Sequence, residues 1–223
     1  MKTSTKILVI GFFVVLLLVS AVHLTWYAKY KSGNFELYNV AAMEAGKMQS
    51  YPNISVVSLL NVQNASIVLS DEAQVSKMKD EGISYRQQGD TLVISSSETG
   101  LQPLRGINIP ARATLKLTNS SVSIRGNKSA GLIFPTLDIN NSTVTIAGGA
   151  GQPPINLHAT ARDSSTLSFK GIVNVDSMSI NLSNSLFEYN AGDIRSLSIS
   201  TDSLSRISLP YKNLVTARIV KTP

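Results

Sequence analysis

Along most of this chain apolar residues recur at every second position in short runs, and each pair of runs is joined at an asparagine or an aspartate. Leu115-Lys116-Leu117-Thr118-Asn119-Ser120-Ser121-Val122-Ser123-Ile124 shows the form: apolar-x-apolar-x-Asn-small-x-apolar-x-apolar. Leu137 to Ile146 repeats it around Asn141, and Ile180 to Tyr189 around Asn184. Leu60 to Leu69 fits around Asn64. Two looser copies carry aspartate and need one extra residue: Ala159 to Phe169 around Asp163, and Leu197 to Ile207 around Asp202.

Period-2 alternation places each apolar pair on one face of a β-strand. Between the pairs the chain must turn a corner. Asn and Asp are the non-glycine residues that best tolerate left-handed backbone angles. From Asn119 through Asn141, Asp163 and Asn184 to Asp202 the spacings are 22, 22, 21 and 18 residues. A period near twenty predicts stacked coils, each too small to bury its own inner face and covered by its neighbours. The predicted fold is therefore all-β, a parallel β-solenoid. Asn64, Asn119, Asn141, Asp163, Asn184 and Asp202 form a ladder of structural corners, with amides able to bond from coil to coil. Lys116 and Asp138 hold the same outward place in successive coils, a surface pair of small energetic weight.

The register breaks between the first copy and the second. Gly82 to Ser95 predicts two strands joined at Gln87–Asp90, a hairpin or an irregular coil. The gap from Asn64 to Asn119 leaves room for coils that lack the asparagine.

The amino-terminal stretch follows a different pattern. Ile7 to Leu24 contains no acid, Lys or Arg. Extended to Ala28, it is long enough to span a bilayer as one transmembrane α-helix. Trp26 and Tyr27 then fall at the interface, followed by Lys29 and Lys31. Lys2 and Lys6 with Val19-Ser20-Ala21 also satisfy the pattern of a cleaved signal peptide. The apolar run past Ala21 and its aromatic, basic collar favour the anchor. The division is thus 1–29 anchor or leader, 30–52 connector with a short helix across Val40–Met48, and 53–223 solenoid, with Tyr211 to Pro223 as a C-terminal cap. Lys2 and Lys6 face Lys29, Lys31 and Lys47 across the segment, so the positive-inside count is nearly tied, and either reading puts the body outside the cytoplasm if the segment acts as a start signal. The expected location is a bacterial cell membrane, single-pass, with the C-terminal domain in the periplasm or outside the cell.

Composition narrows the chemistry. Charged residues are 15% and aromatics 6% of the 223, with Ser, Thr and Asn taking the polar positions. There is no cysteine, which excludes disulfides, thiolate metal ligation and a lipid on an N-terminal Cys. The net charge of +6 is scattered, with no basic cluster interleaved with aromatics, so nucleic acid is not an expected partner. The two histidines, His23 and His158, offer little scope for a relay or a zinc site. Asp138, Asp163 and Asp176 are dispersed, which disfavours the paired acids of a polysaccharide-acting β-helix enzyme. No catalytic residue, metal site or cofactor is expected. Gly148-Gly149-Ala150-Gly151-Gln152-Pro153-Pro154 lacks the Lys and Ser/Thr of a phosphate loop and predicts an excursion between coils.

Gly89-Asp90-Thr91-Leu92-Val93-Ile94, the following Ile107-Asn108-Ile109-Pro110 and the Asn-Ser strand units resemble the auto-transporter adhesin head family, also called GIN domains, of bacterial envelope proteins. The resemblance covers roughly Ser55 to Ile207. It implies a right-handed parallel β-helix, membrane or surface attachment, and no established catalytic residues. The expected function is a membrane-anchored extracytoplasmic solenoid of structural or adhesin-like binding role, contacting a protein or a glycan. The alternative is a membrane-bound filament scaffold, as in bactofilin-like cytoskeletal proteins.

Overall fold

The computed structural model describes residues 12–21, 23–24, 48–76, 82–97, 104, 106–126, 133–149, 151–190 and 192–221. Residues 1–43 and 44–223 form separate compact units. In the first, residues 12–21 and 23–24 are helical. Among the described residues no helix is long and apolar enough to cross a membrane. The flanks of the predicted span, with Trp26, Tyr27 and Lys29, lie outside the described residues. So does the helix expected across Val40–Met48, except Met48 itself, which opens a strand.

The second unit is built of short strands. It begins with β1 (Met48–Tyr51), β2 (Val56–Leu60), β3 (Ala65–Ser70) and β4 (Ala73–Ser76). A hairpin of β5 (Ile83–Gln88) and β6 (Thr91–Ser96) follows, then β7 (Ile107–Pro110). Five strand pairs succeed one another: β8 (Thr114–Thr118) and β9 (Ser121–Arg125), β10 (Thr136–Asn140) and β11 (Thr143–Ala147), β12 (Ile155–Arg162) and β13 (Thr166–Lys170), β14 (Val175–Leu182) and β15 (Leu186–Glu188), β16 (Ile194–Thr201) and β17 (Arg206–Ser208). A short helix, Tyr211–Val215, leads into β18 (Ala217–Lys221).

In each pair the first strand joins one nine-stranded sheet and the second joins the other. Like strands of successive pairs are parallel and in register, so Leu115, Leu137, Ala159, Ile180, Ile199 and Ile219 stack in one file. This is a β-solenoid of about five turns. The alternation seen in the sequence becomes alternation of burial: Leu137, Ile139, Val144 and Ile146 face inward, and Asp138 and Thr145 face outward. His158 also points outward and is exposed.

The core between the sheets mixes small aliphatic and large aromatic side chains. The turn of β12 and β13 offers Leu157 and the small Ala159 and Ala161 from one sheet, and Leu167 and Phe169 from the other. Phe169 packs edge-on against Phe187 and Tyr189, with ring centroids 6.1 and 5.1 Å apart. The Tyr189 hydroxyl donates to the Val173 carbonyl, and burial pushes its pKa up to about 12.

The order of turns in space is not their order in sequence. β8 pairs directly with β2, and β9 with β3. β6 and β7 pair with the far sides of β2 and β3, forming an outer turn without a corner asparagine. Beyond them β5 runs antiparallel to β6, and β4 lies antiparallel between β1 and β7. The interval between Asn64 and Asn119 thus folds back to close the amino-terminal end of the stack. Ile83 and Tyr85 of β5 pack against the core there.

In the glycine-rich stretch at 148–154, Gly149 and Gly151 face open space, whereas Gly148 at its start is tightly packed. A Cβ on Gly148 would overlap the Ile172 carbonyl oxygen and Val173 Cγ2, and one on Gly171 would come within 2.7 Å of the Gly148 carbonyl oxygen. Backbone packs directly on backbone here, which only glycine permits.

Candidate functional site

The corner that follows the first strand of each turn is the most elaborated feature of the surface. Asn64, Asn119, Asn141, Asp163 and Asn184 all have positive φ, between 44° and 56°. Each sits in the left-handed region, where the short polar side chain lowers the cost of the conformation. Asn119 Nδ2 donates to Asn61 Oδ1 at 3.2 Å, and Asn141 Nδ2 donates to Asn119 Oδ1 at 2.8 Å. The aspartate in the next turn cannot donate an amide proton, and Asp163 Oδ2 instead accepts from Asn140 Nδ2 at 2.8 Å.

The rung below Asn119 is therefore Asn61, not Asn64. Val57 and Leu59 pair with Leu115 and Leu117, while Ala65 pairs with Val122. The first corner is one residue longer, running Asn61-Val62-Gln63-Asn64, and both asparagines have positive φ. A sequence alignment without gaps slides past that extra residue and selects the wrong asparagine.

Asp202 turns its corner by a different device. Oδ1 accepts from the Leu204 and Ser205 amides and from Ser205 Oγ, and Oδ2 accepts from the Asn184 amide and Ser183 Oγ. These donors, the Ser205 hydroxyl first, hold its carboxyl down to about 2. The folded pKa lies below the ordinary 3.8, so the contribution to stability is present above that value and is lost as pH falls toward 2. Asp202→Asn should flatten the fall in thermal midpoint between roughly pH 4 and pH 2. An identical acid profile for both proteins would remove Asp202 from the corner's energetics.

Beneath the asparagines runs a second ladder, of serines. Ser120, Ser142, Ser165 and Ser185 are buried. Ser120 Oγ accepts from the Val62 amide at 3.1 Å, Ser142 Oγ from the Ser120 amide at 2.9 Å, and Ser165 Oγ from the Ser142 amide at 3.3 Å. Ser205 Oγ serves the Ser185 amide likewise. The hydroxyls of Ser120, Ser142, Ser165 and Ser185 also donate to a carbonyl two or three residues back, as Ser142 does to Asn140 at 2.7 Å, while that of Ser205 donates to the Asp202 carboxylate. A backbone turning inside the solenoid leaves amides that no strand partner can reach, and the serine hydroxyls satisfy them. The repeat formula contained these residues at its "small" position. Their signal in the sequence was chemical identity: the position is serine in every asparagine copy after the first.

Along this edge lies a shallow groove of about 280 Å³ lined by Gln63, Asn119, Ser121, Asn141, Thr143 and Ser164. No lining side chain is titratable, so its chemistry is hydrogen bonding by amides and hydroxyls. Among the described residues no group of three His, Asp or Glu side chains is arranged to hold a metal ion. Asp138 lies beside Lys116 in register but bonds to Arg162 Nη2 at 2.5 Å, an exposed pair of small weight. Comparison with protein-family models, curated proteins and solved structures finds no match for this chain.

Proposed function

We propose that this protein is a membrane-anchored extracytoplasmic solenoid with a structural or adhesin-like binding role. The carrying observation is the uncharged strip of amides and hydroxyls that stacked Asn119, Asn141, Ser121 and Thr143 present along one edge. Such a strip matches the donors and acceptors of a glycan or of an uncharged polar protein surface, and it offers no group for acid–base work. The apolar Ile7–Leu24 segment, which precedes the solenoid and is free of charge, supports the tether. The resemblance to envelope adhesin heads supports the same reading.

Protease treatment of cells with the inner membrane intact and the outer layers opened tests it. The connector between residues 30 and 47 should be cut, and a soluble fragment carrying the solenoid released. A solenoid accessible only after the inner membrane is broken would overturn the assignment of side. Retention of Met1–Leu24 in the mature chain, read by intact mass, separates an anchor from a cleaved leader.

A further inference from the structure

The two ends of the solenoid are finished differently. At the amino-terminal end the strands reverse: β5, β4 and β1 run antiparallel to their neighbours, and Arg86, Gln87 and Gln88 of β5 are exposed. At the other end β18 simply extends the parallel stack on β16. Its own turn is incomplete, because the opposite sheet stops at β17 and no described strand covers the inward position of Ile219. Asn213 pins the short helix, accepting from the Ile194 amide and donating to the Gly192 carbonyl. Apolar side chains nevertheless remain open around this end, with Leu204 69% and Val215 66% exposed, alongside Leu214 and Val220. The segment expected to cap the solenoid therefore leaves an apolar face and an unpaired strand edge, a template for another strand.

Charge selects the occupant. Arg206, Arg218 and Lys221 stand exposed at this end. A symmetric contact between two such ends would set like charges together. Among the described residues this amino-terminal end exposes Asp71 and Glu72 in the β3–β4 turn and Asp90 in the β5–β6 turn, with Arg86 the base on β5. β18 and β5 are moreover the two edges of the same sheet. We propose that copies of this protein associate head to tail, β18 of one pairing antiparallel with β5 of the next. The contact is heterologous: it uses a different patch on each copy and so propagates instead of closing. It extends the proposed role from a single tethered head to a row of heads, and does not depend on what the corner groove binds.

Sedimentation velocity of the full chain in detergent micelles, over a range of protein and salt concentrations, tests the proposal. Species should grow beyond the dimer with concentration and shrink with added salt. Arg218→Glu with Lys221→Glu should weaken association roughly tenfold or more, since each reversed rim charge loses an attraction and adds a repulsion. Adding Asp71→Lys and Glu72→Lys to the same chain should restore it. Circular dichroism of each variant should match the parent, because all four side chains are exposed and lie outside the corner ladder. A monomer at every concentration, a species that stops at the dimer, or charge-reversed chains that associate as before would each overturn head-to-tail pairing.

Discussion

Ser142→Val should lower the unfolding free energy by about 2–6 kcal/mol, a large share of what holds a domain of this size folded. The hydroxyl has two partners. It accepts from the Ser120 amide and donates to the Asn140 carbonyl. The carbonyl keeps a second donor, the Asn119 amide at 3.2 Å, so its loss is small. The Ser120 amide has no such reserve in this corner, and an unpaired buried N–H costs about 1–3 kcal/mol. The valine methyls must also enter a position that is only 4% exposed, where overpacking adds about 1–3 kcal/mol. Ser142→Ala isolates the hydrogen bond and should cost about 1–3 kcal/mol in a denaturant titration. Ser198→Ala, on an exposed outward position of β16, should stay within about 0.5 kcal/mol of the parent. Equal midpoints for Ser142→Ala and Ser198→Ala would show that the buried serines are filling space and nothing more.

Asn141→Val should cost about 2–4 kcal/mol, for a different reason. Asn141 holds φ at 44°, and its side chain is exposed. A β-branched residue forced into left-handed backbone loses about 1–3 kcal/mol. The amide bond to Asn119, being exposed, accounts for about 1 kcal/mol more. Asn141→Gly loses the amide but keeps the backbone geometry free of strain, and should cost about 1 kcal/mol or less. The thermal midpoints of the two variants divide the corner into its parts. A valine as well tolerated as glycine would mean that backbone strain plays no role at Asn141. A glycine as damaging as valine would place the whole effect in the amide ladder.

These two residues also mark how far the repeat could be read in advance. Alternation of Leu137, Ile139, Val144 and Ile146 leaves no doubt about which side chains face inward, because a strand has period two and a one-residue slip would bury Asp138. The constant interval between Asn119, Asn141 and Asp163 requires parallel stacking, since only coils that climb by a fixed step bring like residues together. Asn141 was legible as a corner because few residue types tolerate its backbone angle. Ser142 was not, since serine is equally at home on an exposed turn, and its burial depends on the amide of a residue 22 positions earlier.

Asn61 and Asn64 show the same limit more sharply. Both have the residue type and the backbone angle of a corner, and the ladder takes Asn61 because Leu59 and Leu117 share a rung. A period can be counted along a chain only while each turn has the same length. Where a turn gains a residue, or where β5 to β7 fold back over the first turn, the neighbour is chosen by which apolar surface is left to be covered. Strand pattern, corner chemistry and parallel stacking are local or periodic properties, and they follow from the order of residues alone. The out-of-order first turns, the buried serine ladder and the contrast between a closed end and an open one are properties of contact between distant segments. They come into being only when the sheets close over a common core.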